Sequence, residues 1–161
     1  TEPAGVAVAL CGVGVGAVLE IGRGSVGAGA ERGDLVLVLD EQAKAAGVRV
    51  IDMDSDGRID ELIPLWIDAG FNVCDPIEVA AGCDVVEYRR RFGRKMGYVG
   101  GVDKRAIAKG GKVIEAEIER IAPVVKDGGM IPGCDHGVPH DISWKDFLHY
   151  CALLAELTGW K

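Results

Sequence analysis

The chain is poor in aromatic residues, with three each of Trp, Tyr and Phe among 161, and it has only six prolines. Its five cysteines, at positions 11, 74, 83, 134 and 151, contain no Cys-x-x-Cys and are odd in number. Nowhere is there an apolar run near the ~20 residues that cross a bilayer. Basic residues are the minority, 18 against 25 acidic, for a formal charge of -7. Each shortage excludes something. The cysteine pattern fits reduced thiols in a cytoplasmic protein and not a disulfide framework. The acidic balance argues against nucleic acid or an anionic membrane as the main partner. The start of the chain is acidic with no basic flank, so a secretory signal is not expected.

Glycine is what the chain has in excess, at 24 residues, and nearly half of all residues are apolar. The glycines fall in two regimes. Residues 1–39 are Gly, Ala and Val with scattered charge, a low-complexity segment of no evident fold. From residue 40 onward, caps, turns and apolar spacing agree with one another, as they do in foldable sequences.

This second region, 40–161, repeats one phrase four times: a glycine, a short apolar run, then charged residues. The phrases begin at Gly47, Gly70, Gly97 and Gly129. The spacing predicts strands at 48–53, 71–75 and 96–102 and a short fourth strand starting at 130–132. The tail of a helix is expected over 40–46, and further helices follow the strands. The first is capped by Asp60, with Ile59, Leu62, Ile63, Trp66 and Ala69 on one stripe. Helices over 85–92 and 112–126 come next, the latter with Ile114, Ile118, Ile121 and Val125 inward. Ser143-Trp-Lys-Asp146 reads as a capping box opening a last helix with Phe147, Cys151, Leu154 and Leu157 inward. Strands feeding helices in series imply an α/β fold with a parallel sheet.

Three local motifs compete for attention. Asp52-Met-Asp-Ser-Asp-Gly-Arg-Ile-Asp60 has the oxygens of a calcium loop, but position twelve is Ile63 where a bidentate Glu belongs, and a strand enters it. Gly12-Val-Gly-Val-Gly-Ala17 follows an apolar run and fits a dinucleotide fingerprint, so a nucleotide-binding module on the Gly12–Gly14 loop is the alternative function. The basic run Tyr88–Lys95 is most simply a solvated helix face.

In parallel sheets, polar residues at the strand exits are where chemistry sits. Asp52, Asp54 and Asp56 share one face if the strand persists that far. Asp75 and Glu78, then Asp103, Lys104 and Arg105, then Cys134, Asp135 and His136 follow the later strands. Carboxylates with one imidazole and a Lys–Arg pair can transfer protons or hold a metal.

From about Ala45 to the C-terminus the chain resembles the C-terminal half of the uroporphyrinogen decarboxylase family. The likeness is carried by Asp54-Ser-Asp-Gly-Arg-Ile-Asp-Glu-Leu-Ile-Pro-Leu-Trp66 and Pro76-Ile-Glu-Val-Ala-Ala-Gly-Cys-Asp84. It continues through Gly100-Gly-Val-Asp-Lys-Arg105 and Gly129-Met-Ile-Pro-Gly-Cys-Asp-His-Gly-Val-Pro139. The resemblance implies the last four βα units of a TIM-like (β/α)8 barrel. It implies either decarboxylation of tetrapyrrole side chains or methyl transfer involving a corrinoid protein. Asp54, Asp56 and His136 are then the expected catalytic residues, the aspartates as acid/base groups or as hard ligands of a divalent metal. Glu78, Asp103, Lys104 and Arg105 are expected to bind substrate, a tetrapyrrole or a methylated small molecule. The zinc-dependent branch of the family has a His-x-Cys pair where this chain has Asp54-Ser-Asp56, and His136 stands at the later cysteine position. Residues 1–33 match no part of that barrel, and a truncated or misread reading frame would account for them. The expectation is therefore an enzyme fragment, inactive alone; a further alternative is a non-catalytic half barrel that only associates, with itself as a homodimer or with a complementary half.

Overall fold

The computed structural model describes residues 47–160, with Ala45 and two short strands from the N-terminal segment, Val8–Leu10 (β1) and Ala17–Leu19 (β2). These two pair antiparallel, Val8 opposite Leu19. The Gly12–Gly14 loop and most of the expected helix over 40–46 lie outside the described residues.

The main sheet has four parallel strands: Asp52–Asp54 (β3), Val73–Asp75 (β4), Gly97–Val102 (β5) and Met130–Cys134 (β6). They lie side by side in chain order. The connecting helices are Ile63–Asp68 (α1), Val85–Phe92 (α2), Lys104–Lys109 (α3) and Gly111–Asp127 (α4), and Trp144–Thr158 (α5) follows the last strand. The molecule is therefore α/β, with the strand–helix alternation expected from the repeated glycine phrases.

Sequential order has a geometric consequence. Crossovers between parallel strands are right-handed, so a sheet that never reverses order puts every crossover helix on one face. The packing agrees. Cys74, Tyr98 and Met130 are paired across β4, β5 and β6 and are all buried. They join Val85 and Tyr88 of α2 and Ile114, Ile118, Ile121 and Val124 of α4 in one core. Residues of alternate parity face the other way. There Ile131 is 69% exposed, as befits a sheet face that no helix covers among the described residues.

Local signals explain the clearest elements. Asp84 caps α2 by accepting a hydrogen bond from Val86 N–H at 2.8 Å, and Gly93, at φ +61°, stops it. Ser143 caps α5 through Asp146 N–H. Pro64 falls in the first turn of α1, where a missing N–H is harmless.

Four expectations change. Asp60 does not cap α1, which begins after Leu62 with no side-chain cap. Asp60 instead accepts from Tyr88 O–H at 3.1 Å and pairs with Arg58 and Arg91, so a tertiary contact takes the oxygen that a cap would have used. The first two strands are shorter than their apolar runs, beginning at Asp52 and Val73. A helix that the spacing does not predict, α3, opens with Lys104 and Arg105 directly after the third strand and is capped by Asp103. On α5, Cys151 is exposed, and Tyr150 takes the buried position beside Phe147, Leu154 and Leu157.

Candidate active site

The carboxyl ends of the four strands converge on a cleft of about 370 Å³. Asp54 and Asp75 enter it as register partners at the ends of β3 and β4. Asp56 follows two residues past β3, and His136 two residues past β6. Val99, Gly100, Gly133 and Cys134 form its floor. Gly100 has φ +90°, and a Cβ there would stand 3.3 Å from the Cys134 carbonyl, so only glycine keeps the floor this low.

His136 bridges the mouth. Its Nε2 stands 3.4 Å from Asp56 Oδ1, and its Nδ1 accepts the Gly137 N–H at 2.8 Å. An accepting Nδ1 fixes the tautomer of the neutral ring, with the proton on Nε2, facing the carboxylate. Both side chains are substantially solvent-exposed. The bridge also reports shape. β3 and β6 are the two outer strands, three strand spacings apart, which is roughly 14 Å in a flat sheet. Loops from those two strands meet across the cleft.

Deeper on the same side sits Asp52. One of its oxygens, Oδ1, is buried with no hydrogen-bond partner. Burial, then the charge of Asp75, pushes its pKa up to about 6. Asp75 is itself raised, by burial and then by Asp54. These carboxyls share a proton-rich corner in which Asp52 is the group most easily kept neutral. The sequence places both residues on the rim but does not single them out as a coupled pair. The signal was available: Asp52 and Asp54 alternate onto one face of the first strand, and parallel register brings the aspartate that closes the second strand beside that face.

The remaining expected site residues divide. Glu78 and Lys104 belong to a brace at the rim. Glu78 Oε2 accepts the Gly57 N–H at 3.0 Å, and its other oxygen is 3.4 Å from Lys104 Nζ. The Gly57 hydrogen bond first, then Lys104, hold the Glu78 carboxyl below its usual range. The centre of the brace is Asp135, which is fully buried. It accepts from Val79 N–H at 2.9 Å and Lys104 N–H at 3.0 Å, so one carboxylate pins the exits of β4, β5 and β6 together. Asp103 and Arg105 face elsewhere. They are locked to each other, Arg105 donating to both Asp103 oxygens. They line a separate cleft of about 550 Å³ between α3 and α4, with Lys109, Glu117 and Arg120. Against partial burial, Arg105 keeps the Asp103 carboxyl low.

As a metal centre the arrangement fits poorly. Among the described residues no three His, Cys, Asp or Glu side chains are grouped to hold one ion. No described helix is long and apolar enough to cross a membrane. Compared with known proteins, the chain matches no family model and no curated protein.

Proposed function

We propose that residues 45–161 are the C-terminal half of a TIM-like barrel enzyme similar to the uroporphyrinogen decarboxylases. Its reaction would be tetrapyrrole side-chain decarboxylation or corrinoid-dependent methyl transfer, and the piece alone would be inactive. The observation that carries this reading is the Asp56–His136 bridge, which links loops of the first and fourth strands over an acid-lined cleft at the strand exits. An arc of sheet curved that far, with helices on one face only, is what half a barrel would look like.

In this reading the carboxylates of Asp54 and Asp75 accept N–H donors such as those of pyrrole rings, which suits a cleft with no Lys or Arg in its lining. Substrate carboxylates sit at the rim toward Lys104, which engages one only by releasing Glu78. In the decarboxylation, the C–C bond to the departing CO2 breaks and leaves its electron pair on carbon. His136 delivers the proton that completes the step; to do so it first takes a proton at Nδ1, giving up the Gly137 N–H bond, and the imidazolium so formed is steadied by Asp56. Arg105 reaches a carboxylate only from the α3–α4 cleft and by giving up part of its pairing with Asp103.

Two measurements test this. Titration of the chain with uroporphyrin, followed by porphyrin fluorescence, is expected to saturate, and a double Asp54→Asn, Asp75→Asn variant should bind measurably more weakly. In the intact parent, Asp56→Asn or His136→Ala should lower turnover by about 10² to 10⁴. Unchanged turnover in both variants removes the assignment.

A further inference from the structure

The basic run over α2 and the turn after it divides by partner. Arg90 pairs with Glu87 and Arg91 with Asp60, each with a carboxylate to itself. Arg89, Arg94 and Lys95 have one carboxylate among them, that of Asp127. It stands 3.4 Å from Arg89 Nη1 and 2.7 Å from Arg94 Nη2. In a chain with a formal charge of -7, this is a local excess of positive charge.

The three cations open on a cleft of about 350 Å³ whose lining contains no Asp or Glu. It lies at the amino ends of the strands, where Val73 and Gly97 begin β4 and β5 and Gly128 and Gly129 lead into β6. The candidate active site is at the other end of the same strands. Val50, Val73 and Met96 give this second cleft an apolar side.

Basic residues near the last turn of a helix often serve only its free carbonyls. That accounts for part of the cluster. Arg89 donates to the Gly128 carbonyl at 2.6 Å, and Arg94 donates to that of Asp127, both at the end of α4. Each arginine does so through Nη2 alone. Among the described residues, Arg94 Nε and Nη1 and Lys95 Nζ have no hydrogen-bond partner.

Arg89 is the fixed member. Its side chain is only 14% exposed, and its Cζ lies 5.7 Å from the centroid of the Tyr98 ring. Its Nε is buried without an acceptor. A cation held so far out of water with most of its N–H groups unspent is under-compensated. An anion in the cleft supplies the opposing charge with the arginine already in place. Gly129, at φ +74°, leaves room for this, since a Cβ there would stand 3.1 Å from Arg89 Nη2. Its own N–H has no acceptor among the described residues. Two guanidinium groups, an ammonium and a free backbone N–H are the kind of donor set that phosphate sites use.

We propose that this cleft binds the phosphate group of a small phosphate monoester. Arg94 and Lys95 close on its oxygens, Arg89 lies fixed beside them, and Arg94 exchanges Asp127 for the ligand. The volume is at the lower end for small-molecule sites, which fits a short phosphorylated molecule and not a dinucleotide. The α3–α4 cleft is less suited, because its arginines are held by carboxylates in its own lining, Arg105 by Asp103 and Arg120 by Glu117. The proposal does not depend on the enzymatic reading, since the two clefts share no residue.

The test is titration of the full chain with inorganic phosphate and with propyl phosphate at constant ionic strength, followed by NMR of the backbone amides. Saturable shifts at Gly97, Gly128 and Gly129 are expected, with a dissociation constant on the order of 1 mM for phosphate. Propyl phosphate should bind about threefold tighter, since its chain meets Val73 and Met96. The double variant Arg94→Gln, Lys95→Gln changes only exposed side chains and should weaken both ligands at least tenfold. Asp127→Asn removes the competing carboxylate and should tighten both about threefold. Lys109→Gln, in the α3–α4 cleft, should alter neither. Shifts that fail to saturate by about 50 mM overturn the proposal. So does binding that is indifferent to the double variant, that Lys109→Gln weakens instead, or that Asp127→Asn fails to tighten. Propyl phosphate binding no tighter than inorganic phosphate overturns the assignment to a monoester.

Discussion

Replacing Asp52 with Asn should make the protein more stable, and only above a definite pH. Asp52 has a pKa raised from 3.8 to about 6, because burial and then Asp75 penalise its charge, and its Oδ1 has no donor nearby. Between those two values the folded state holds a proton that the unfolded chain has released. Folding stability therefore falls as pH rises through this window, and the loss is complete above about pH 6. A shift of that size corresponds to roughly 3 kcal/mol at 1.36 kcal/mol per unit. The side chain is only half shielded, so solvent screening reduces the expected cost to about 1 to 2 kcal/mol. Asn carries no charge and, like the protonated acid, can donate to Asp75. At pH 7.5 Asp52→Asn should melt about 2 to 8 °C higher than the parent, and at pH 3.5 the two should coincide. Thermal melts by circular dichroism across that range decide the matter. A stability difference that does not widen between pH 4 and pH 7 would refute the raised pKa of Asp52.

Two further predictions concern the rim. Asp135→Ala leaves the partly buried N–H groups of Val79 and Lys104 without an acceptor and should cost about 2 to 3 kcal/mol in urea denaturation, with Asp135→Asn less damaging because it keeps one carbonyl. Arg105→Ala removes an exposed ion pair and should cost less than about 1 kcal/mol. It should also leave porphyrin titration unchanged, since Arg105 lines the other cleft.

Helix α2 was readable because both its ends are local: a cap at Asp84 and a stop at Gly93, with Val85 and Tyr88 turned inward between them. Helix α3 was not. It has six residues, too few for a periodic stripe, and its cap Asp103 sits among charges that read equally well as a loop. Asp60 shows the limit from the other side. Its position suits a cap, but the hydroxyl that claims it belongs to Tyr88, 28 residues on, and local spacing carries no record of that. Cys151 was placed inward because it is three and four residues from Leu148 and Phe147, a spacing that fits either apolar face of α5. The site followed the same rule. Asp54, Asp56 and His136 were legible as strand-exit residues, while the Asp52–Asp75 coupling depends on lateral register, which is a property of the sheet.

Among the charged residues at the strand exits, pairing separates two kinds of work. Asp135, Glu78 and Lys104 have their polar groups committed to one another or to backbone N–H groups from loops up to 56 residues apart in sequence. Groups so committed would have to break existing bonds to engage a ligand, and what they supply is a fixed rim. Asp54, Asp56 and Asp75 line the cleft without such commitments to backbone N–H groups of other loops, and Asp56 meets His136 at 3.4 Å, open to solvent, the imidazole being held otherwise only by the adjacent Gly137 N–H. A weak, exposed pair of this kind is cheaply rearranged by a ligand, and its groups keep lone pairs and protons to offer. The same loops thus hold rigid members beside adaptable ones. Asp135 and His136, adjacent in sequence just past the end of β6, fall on opposite sides of that division: Asp135 turns under the rim onto the N–H groups of Val79 and Lys104, and His136 turns into the cleft.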